Sequence, residues 1–259
     1  MYYIQSQKST WNSHFSRHSP CATVGLCVES ANIVGYQTPD IKSAVALSID
    51  TFNPLSGGSF DIQSLKVAAD GIAGGQVQVQ TMTDGGATDR TFIWIPTSEA
   101  GDYDMEGEGW YDVDEGVVAE KSFAVGEGFV TMNDFGEGVT ITYAGAVPMG
   151  ATEIVVAPAV AIAGNSTPVA VDIQSIVVEA EGIAGGQVQV QTLTDGGATD
   201  RTFIWIPESE AGDYDMEGEG WYDVDEGVVA EKTFAASEGF VTMNDYGEGV
   251  TLKLPSPIE

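Results

Sequence analysis

The chain has 259 residues, of which 43% are hydrophobic and 19% charged, with 32 glycines and 10 prolines; this suits a turn-rich β protein of two domains and excludes a helical or disordered one. Its 39 acidic against 9 basic side chains give a formal charge of -30, which excludes nucleic acid and anionic membrane faces as partners, because both are held by clustered Lys and Arg. No apolar run approaches the roughly 20 residues of a membrane span, so membrane insertion is not expected.

Residues 1–30 come first and differ from the rest. Lys8, His14, Arg17 and His18 make a mildly basic start, followed by the short apolar stretch Cys21 to Val28. This segment reads either as a degraded export signal or as a flexible, poorly structured N-terminal arm, since the apolar stretch is short for a signal-peptide core. The only two cysteines, Cys21 and Cys27, lie here; they form a short bridge or stay free, and the remaining body has no cysteine for a zinc or disulfide framework.

From residue 31 onward the hydrophobic period is two. Val45, Leu47 and Ile49 alternate with Ala46, Ser48 and Asp50, and Val77 and Val79 alternate with Gln76, Gln78 and Gln80, the pattern of half-buried strands. Asp84-Gly85-Gly86 then links QVQVQTMT to ATDRTFIWIP as a hairpin, because glycine supplies the positive φ angles of a tight reversal. Shorter strands are expected at Trp110 to Val113, Lys121 to Val125 and Gly128 to Met132, then a turn at Asn133 to Gly136 and a last strand through Val139, Ile141 and Tyr143.

The segment Asp61 to Thr142 recurs almost letter for letter as Asp172 to Lys253, 111 residues later, which is the spacing of a whole domain and not of a solenoid turn. VALSIDTF, Val45 to Phe52, falls opposite VAPAVAIA, Val156 to Ala163, at the same offset. The expected fold is all-β: module one over 31–146 and module two over 147–259, each a β-sandwich or small β-barrel of seven or eight strands. The join AGAVPMGAT, Ala144 to Thr152, is short enough to keep the modules near one another. QVQVQTMT is expected as an interior strand; at a sheet edge it would be an assembly surface.

Glu99 to Glu115 carries eight carboxylates and no Lys or Arg. Asp102, Asp104 and Glu106, then Gly107 and Glu108, resemble the opening of an oxygen-rich calcium loop, as do Asp213, Asp215, Glu217 and Glu219 in the second copy. The twelfth position is Val113 where an EF-hand needs a bidentate Glu, so the alternatives are a Ca²⁺ site of another kind or a solvated acidic loop. Trp110 and Tyr111, repeated as Trp221 and Tyr222, follow directly. In a strand adjacent side chains point to opposite faces, so one ring of each pair enters the core, and the alternatives for the pair are an exposed ring that stacks on a sugar or a core tryptophan with a half-buried tyrosine.

Catalysis finds little support: the only histidines, His14 and His18, precede both modules, so neither can build a Ser-His-Asp or Cys-His arrangement, and carboxylate pairs of the kind glycoside hydrolysis uses occur throughout so acidic a chain and single out no site. Arg90 and Arg201, each preceded by an Asp, are expected to anchor their hairpins by local ion pairing.

At Ala31 to Thr38, ANIVGYQT, the chain resembles uncharacterised secreted bacterial proteins that open with a NIVGY-type strand and continue into duplicated β-rich segments with GEGF-like and GNSTP-like turns. Those turns stand here at Gly126 to Phe129, at Ser237 to Phe240 with Ser237 replacing the first glycine, and at Gly164 to Pro168. The resemblance implies export to the cell surface or medium and no known reaction. The expected function is that of a non-enzymatic extracellular structural protein whose partner is itself, a subunit of a surface layer or filament. The alternative is a bivalent binding module for a glycan or a cell-surface protein, with Ca²⁺ as a modifier.

Overall fold

The computed structural model describes residues 34–37, 40–41, 48–52, 59–83, 86–146, 150–194 and 197–257. The N-terminal arm with Cys21 and Cys27, the positions 45–47, the tips Asp84-Gly85 and Asp195-Gly196, and part of the intermodule join lie outside the described residues.

Module one runs through β1 (Val34–Gln37), β2 (Asp40–Ile41), β3 (Ser48–Phe52), β4 (Phe60–Asp61), β5 (Lys66–Ala68) and β6 (Val77–Met82). It continues with β7 (Thr88–Ile95), β8 (Gly109–Asp112), β9 (Val117–Val118), β10 (Ser122–Phe123), β11 (Phe129–Asn133) and β12 (Val139–Ala146). Module two opens with β13 (Thr152–Val156), β14 (Ala159–Gly164), β15 (Val171–Asp172), β16 (Val177–Glu179) and β17 (Val188–Leu193). It ends with β18 (Thr199–Ile206), β19 (Gly220–Asp223), β20 (Val228–Val229), β21 (Thr233–Phe234), β22 (Gly239–Asn244) and β23 (Val250–Leu254). The only helical elements among the described residues are four 3-10 turns, such as Ile62–Ser64 and Ala100–Tyr103.

Each module sets a six-stranded antiparallel sheet against a smaller one. The large sheets have the orders β3-β11-β6-β7-β8-β9 and β14-β22-β17-β18-β19-β20. In the small sheets β12 lies between β5 and β1 with β2, and β23 lies between β16 and β13. Two-residue ribbons, β4-β10 and β15-β21, complete the modules. Among the described residues no sheet closes on itself, so of the two expected architectures the sandwich is the one found.

The cause is the period-two pattern. Along β6 and β17 every second residue is buried, and the valines so buried meet Phe92 and Trp94 of β7 and Val139, Ile141 and Tyr143 of β12 in one continuous core. A separate core holds their counterparts in module two. QVQVQTMT is an interior strand, bonded to β11 on one side and β7 on the other. At the hairpin that follows, the register slips by one residue between Thr81 and Met82, and Gly86 takes φ +76° as the reversal requires. The strand expected over Lys121 to Val125 shrinks to Ser122–Phe123. Its ends are claimed by Glu127, which pairs with Lys121 Nζ at 2.6 Å and accepts the Ala124 amide at 2.8 Å.

The two modules touch through the outer faces of their large sheets. Val130, Ile162 and Val241 form a third apolar cluster, flanked by Met82, Met132, Val160 and Leu193. Val130 and Val241 occupy equivalent positions in the two copies, and so do Met82 and Leu193. The backbone adds a bond across the junction, Gly128 N–H to Ile162 O at 2.9 Å.

Candidate functional site

The acidic segment folds as a 3-10 turn over Ala100–Tyr103 that ends on Asp104 in the left-handed region, φ 56°, with the Met105 amide closing back on Ala100 O at 2.9 Å. Asp102, Asp104, Glu106 and Glu108 all stand exposed along it, as do Asp213, Asp215, Glu217 and Glu219 in the second copy. Among the described residues no three carboxylates, histidines or cysteines converge on a common point. The alternating carboxylates are spread along the turn.

One carboxylate of the segment behaves differently. Asp112, at the end of β8, is fully buried; its Oδ1 accepts the amides of Asp114 and Glu115 at 3.0 and 3.1 Å, and its Oδ2 pairs with Arg90. Arg90 also reaches Glu115 at 3.0 Å and lies over the Phe92 ring at 5.3 Å. The arginine therefore ties β7 to the β8–β9 turn, and its partners are across the sheet instead of the adjacent Asp89. Arg201 repeats this with Asp223 and Glu226. Sequence reasoning missed Asp112 because nothing in an unbroken acidic run distinguishes the one residue whose strand position faces inward.

Trp110 and Trp221 are fully buried and present no face to solvent. Each packs edge-to-face on Trp94 or Trp205 at 5.5 Å and donates its indole N–H to Leu65 O at 3.0 Å or Ile176 O at 2.8 Å. Gln63, in the 3-10 turn before β5, holds that strand from the side: its amide donates to Trp110 O and Ala119 O, both at 2.8 Å, and accepts the Trp110 amide at 3.0 Å. Gln174 makes the same three bonds around Trp221. A Cβ on Gly109 would come within 2.6 Å of Gln63 Oε1, so the glycine before the tryptophan makes room for this clamp.

Tyr111 and Tyr222, on the opposite face of the same strands, are half-buried. Each meets the edge of a second half-buried tyrosine, Tyr103 or Tyr214, with ring centroids 5.0 Å apart. Cross-strand partners share a face of a sheet, so the ladder places Tyr111 in a row Met132, Gln78, Ile93, Tyr111, Val118. The second copy gives Val160, Met243, Gln189, Ile204, Tyr222, Val229. The first row continues past Met132 to Ile49 of β3; Met132 and Val160 lie in the intermodule cluster, and the other ends stand in solvent at Val118 and Val229, both 41% exposed. Val113 and Val117, with Val224 and Val228, add further exposed apolar side chains at the same ends.

No family model, curated protein or solved structure matches this chain.

Proposed function

We propose that this chain is a non-enzymatic, extracellular structural protein, a subunit of a surface layer, filament or similar assembly whose principal partner is itself. The observation that carries this reading is the junction of the two halves, where a module lays the outer face of its large sheet on a copy of itself through residues present in both, Val130 with Val241 and Met82 with Leu193. A sheet face that already binds its own duplicate is suited to binding further duplicates. The high negative charge keeps single chains apart at low ionic strength and makes association a matter of screening. Light scattering and electron microscopy of the purified chain, with and without residues 1–30, test the reading across salt concentrations. Ordered multimers are expected; monodisperse single chains under every condition would refute it.

A second reading, a bivalent module for a glycan or a cell-surface protein, is favoured by the Tyr103–Tyr111 pair and its copy Tyr214–Tyr222, half-buried beside exposed carboxylates. Ring faces next to hydrogen-bond acceptors are what sugar recognition uses, and two sites per chain would add avidity. A glycan array with no bound ligand removes the glycan form of this alternative, and a pull-down that recovers only the chain itself removes the protein form.

A further inference from the structure

The large sheets differ along their length in what covers them. The row Met132, Gln78, Ile93, Tyr111, Val118 is continuous across β11, β6, β7, β8 and β9, yet only its Met132 end lies under the other module. The row Val160, Met243, Gln189, Ile204, Tyr222, Val229 repeats the situation from the other side. Resting on the self-assembly reading, we propose that the outer halves of these two rows, Ile93, Tyr111 and Val118 and their copies Ile204, Tyr222 and Val229, are docking surfaces for a second copy of this chain.

The occupant follows from continuity with the junction already present. The covered end of each row packs on the same sheet face of a duplicate module, so the half outside the junction, on neighbouring strands of the same sheet and half-buried at Ile93 and Tyr111, offers a surface of the same kind to another chain. Exposed apolar side chains on a sheet face mark an interaction surface, and here Val118 and Val229, the cross-strand partners of Tyr111 and Tyr222 on this face, are both 41% exposed. β9 and β20 are only two residues long, too short to template edge pairing, so the contact is made by the sheet face. Asp114, Glu115 and Glu120, with Asp225, Glu226 and Glu231, stand exposed around these valines. Two copies therefore repel until salt shortens the screening length from about 10 Å at 0.1 M to about 3 Å at 1 M.

Each chain carries two such surfaces, so association is open-ended, and this valency supplies the test. The full chain is compared with Val118→Arg, Val229→Arg and the double variant by sedimentation velocity at 0.1 and 1 M NaCl, with melting temperature and far-ultraviolet dichroism as controls of folding. The wild type is expected to grow into multimers at high salt, each single variant to stop at species of two chains, and the double variant to remain single. Val118→Ser with Val229→Ser, a smaller change at the same exposed positions, is expected to lower the multimer fraction at least several-fold. Wild-type multimers that persist unchanged in the folded double and serine variants would overturn the docking surface while leaving self-assembly standing. A wild type that stays single at both salts would overturn both.

Discussion

Tyr143, on β12 of the first module, shares a hydroxyl-to-hydroxyl hydrogen bond with Ser237 of the second, and Ser237 stands where the first copy carries Gly126. Both members of this diverged pair take positive φ, 78° at Gly126 and 63° at Ser237. Their surroundings differ. Ser237 is buried with its hydroxyl on Tyr143, whereas a Cβ at Gly126 would stand 2.5 Å from Ile154 Cγ1 of β13. The one letter that separates the GEGF and SEGF turns is thus set by what the opposite module presents.

Gly126→Ser, which would make the copies alike at this one position, is predicted to destabilise the protein by about 1–3 kcal/mol, the usual cost of overpacking. Ser237→Gly relieves the left-handed serine but gives up its bond to Tyr143, so its effect stays within about 1 kcal/mol. Denaturant melts of the two variants check the asymmetry. Ile154→Ala combined with Gly126→Ser is expected to cost less than the sum of the single changes, as for any contacting pair.

Gln63→Ala removes the three bonds that hold Trp110 and Ala119 in place. Each is worth about 0.5–1.5 kcal/mol net, so a loss of about 2–3 kcal/mol is predicted. Gln174→Ala should cost the same, since its bonds to Trp221 and Ala230 match within about a tenth of an ångström. Calorimetry on both variants would test the equivalence, and a Gln63 variant that melts with the wild type would contradict the clamp.

Asp112→Ala is predicted to destabilise by about 2–4 kcal/mol, because it leaves Arg90 with the exposed Glu115 in place of its buried partner and releases two turn amides. Arg90 Nε is buried and finds no hydrogen-bond partner among the described residues, so the pair is imperfectly satisfied. Arg90→Met with Asp112→Ala is therefore expected to be more stable than Asp112→Ala alone. The comparison is made by urea unfolding at constant ionic strength.

Because the exposed carboxylates of the Ala100–Tyr103 turn and the residues after it do not converge, Ca²⁺ and Mg²⁺ are expected to act alike, as screening ions. Equal shifts in melting temperature at equal concentrations are the predicted outcome. A shift of several degrees with Ca²⁺ alone would show a specific site through preferential binding to the folded state.

Much of the fold was readable because alternation is a local property. The valines of β6 and the Phe92–Trp94 pair of β7 declare their faces two residues at a time, and the repeat fixed how often the unit occurs. The inward Trp110 and outward Tyr111 follow from the same rule. What the chain could not declare is pairing at a distance: that Arg90 reaches Asp112 instead of its neighbour, that Gln63 spans to Ala119, or that Val130 and Val241 lie under one another. Those depend on the order of strands in the sheet, which alternation leaves open.

The divergence at positions 126 and 237 means that the two halves have stopped being spare parts for one another. Exchanging only their turns would set a serine beneath Ile154 and leave Tyr143 facing a glycine, so each turn is now matched to the strand that the other module lays against it.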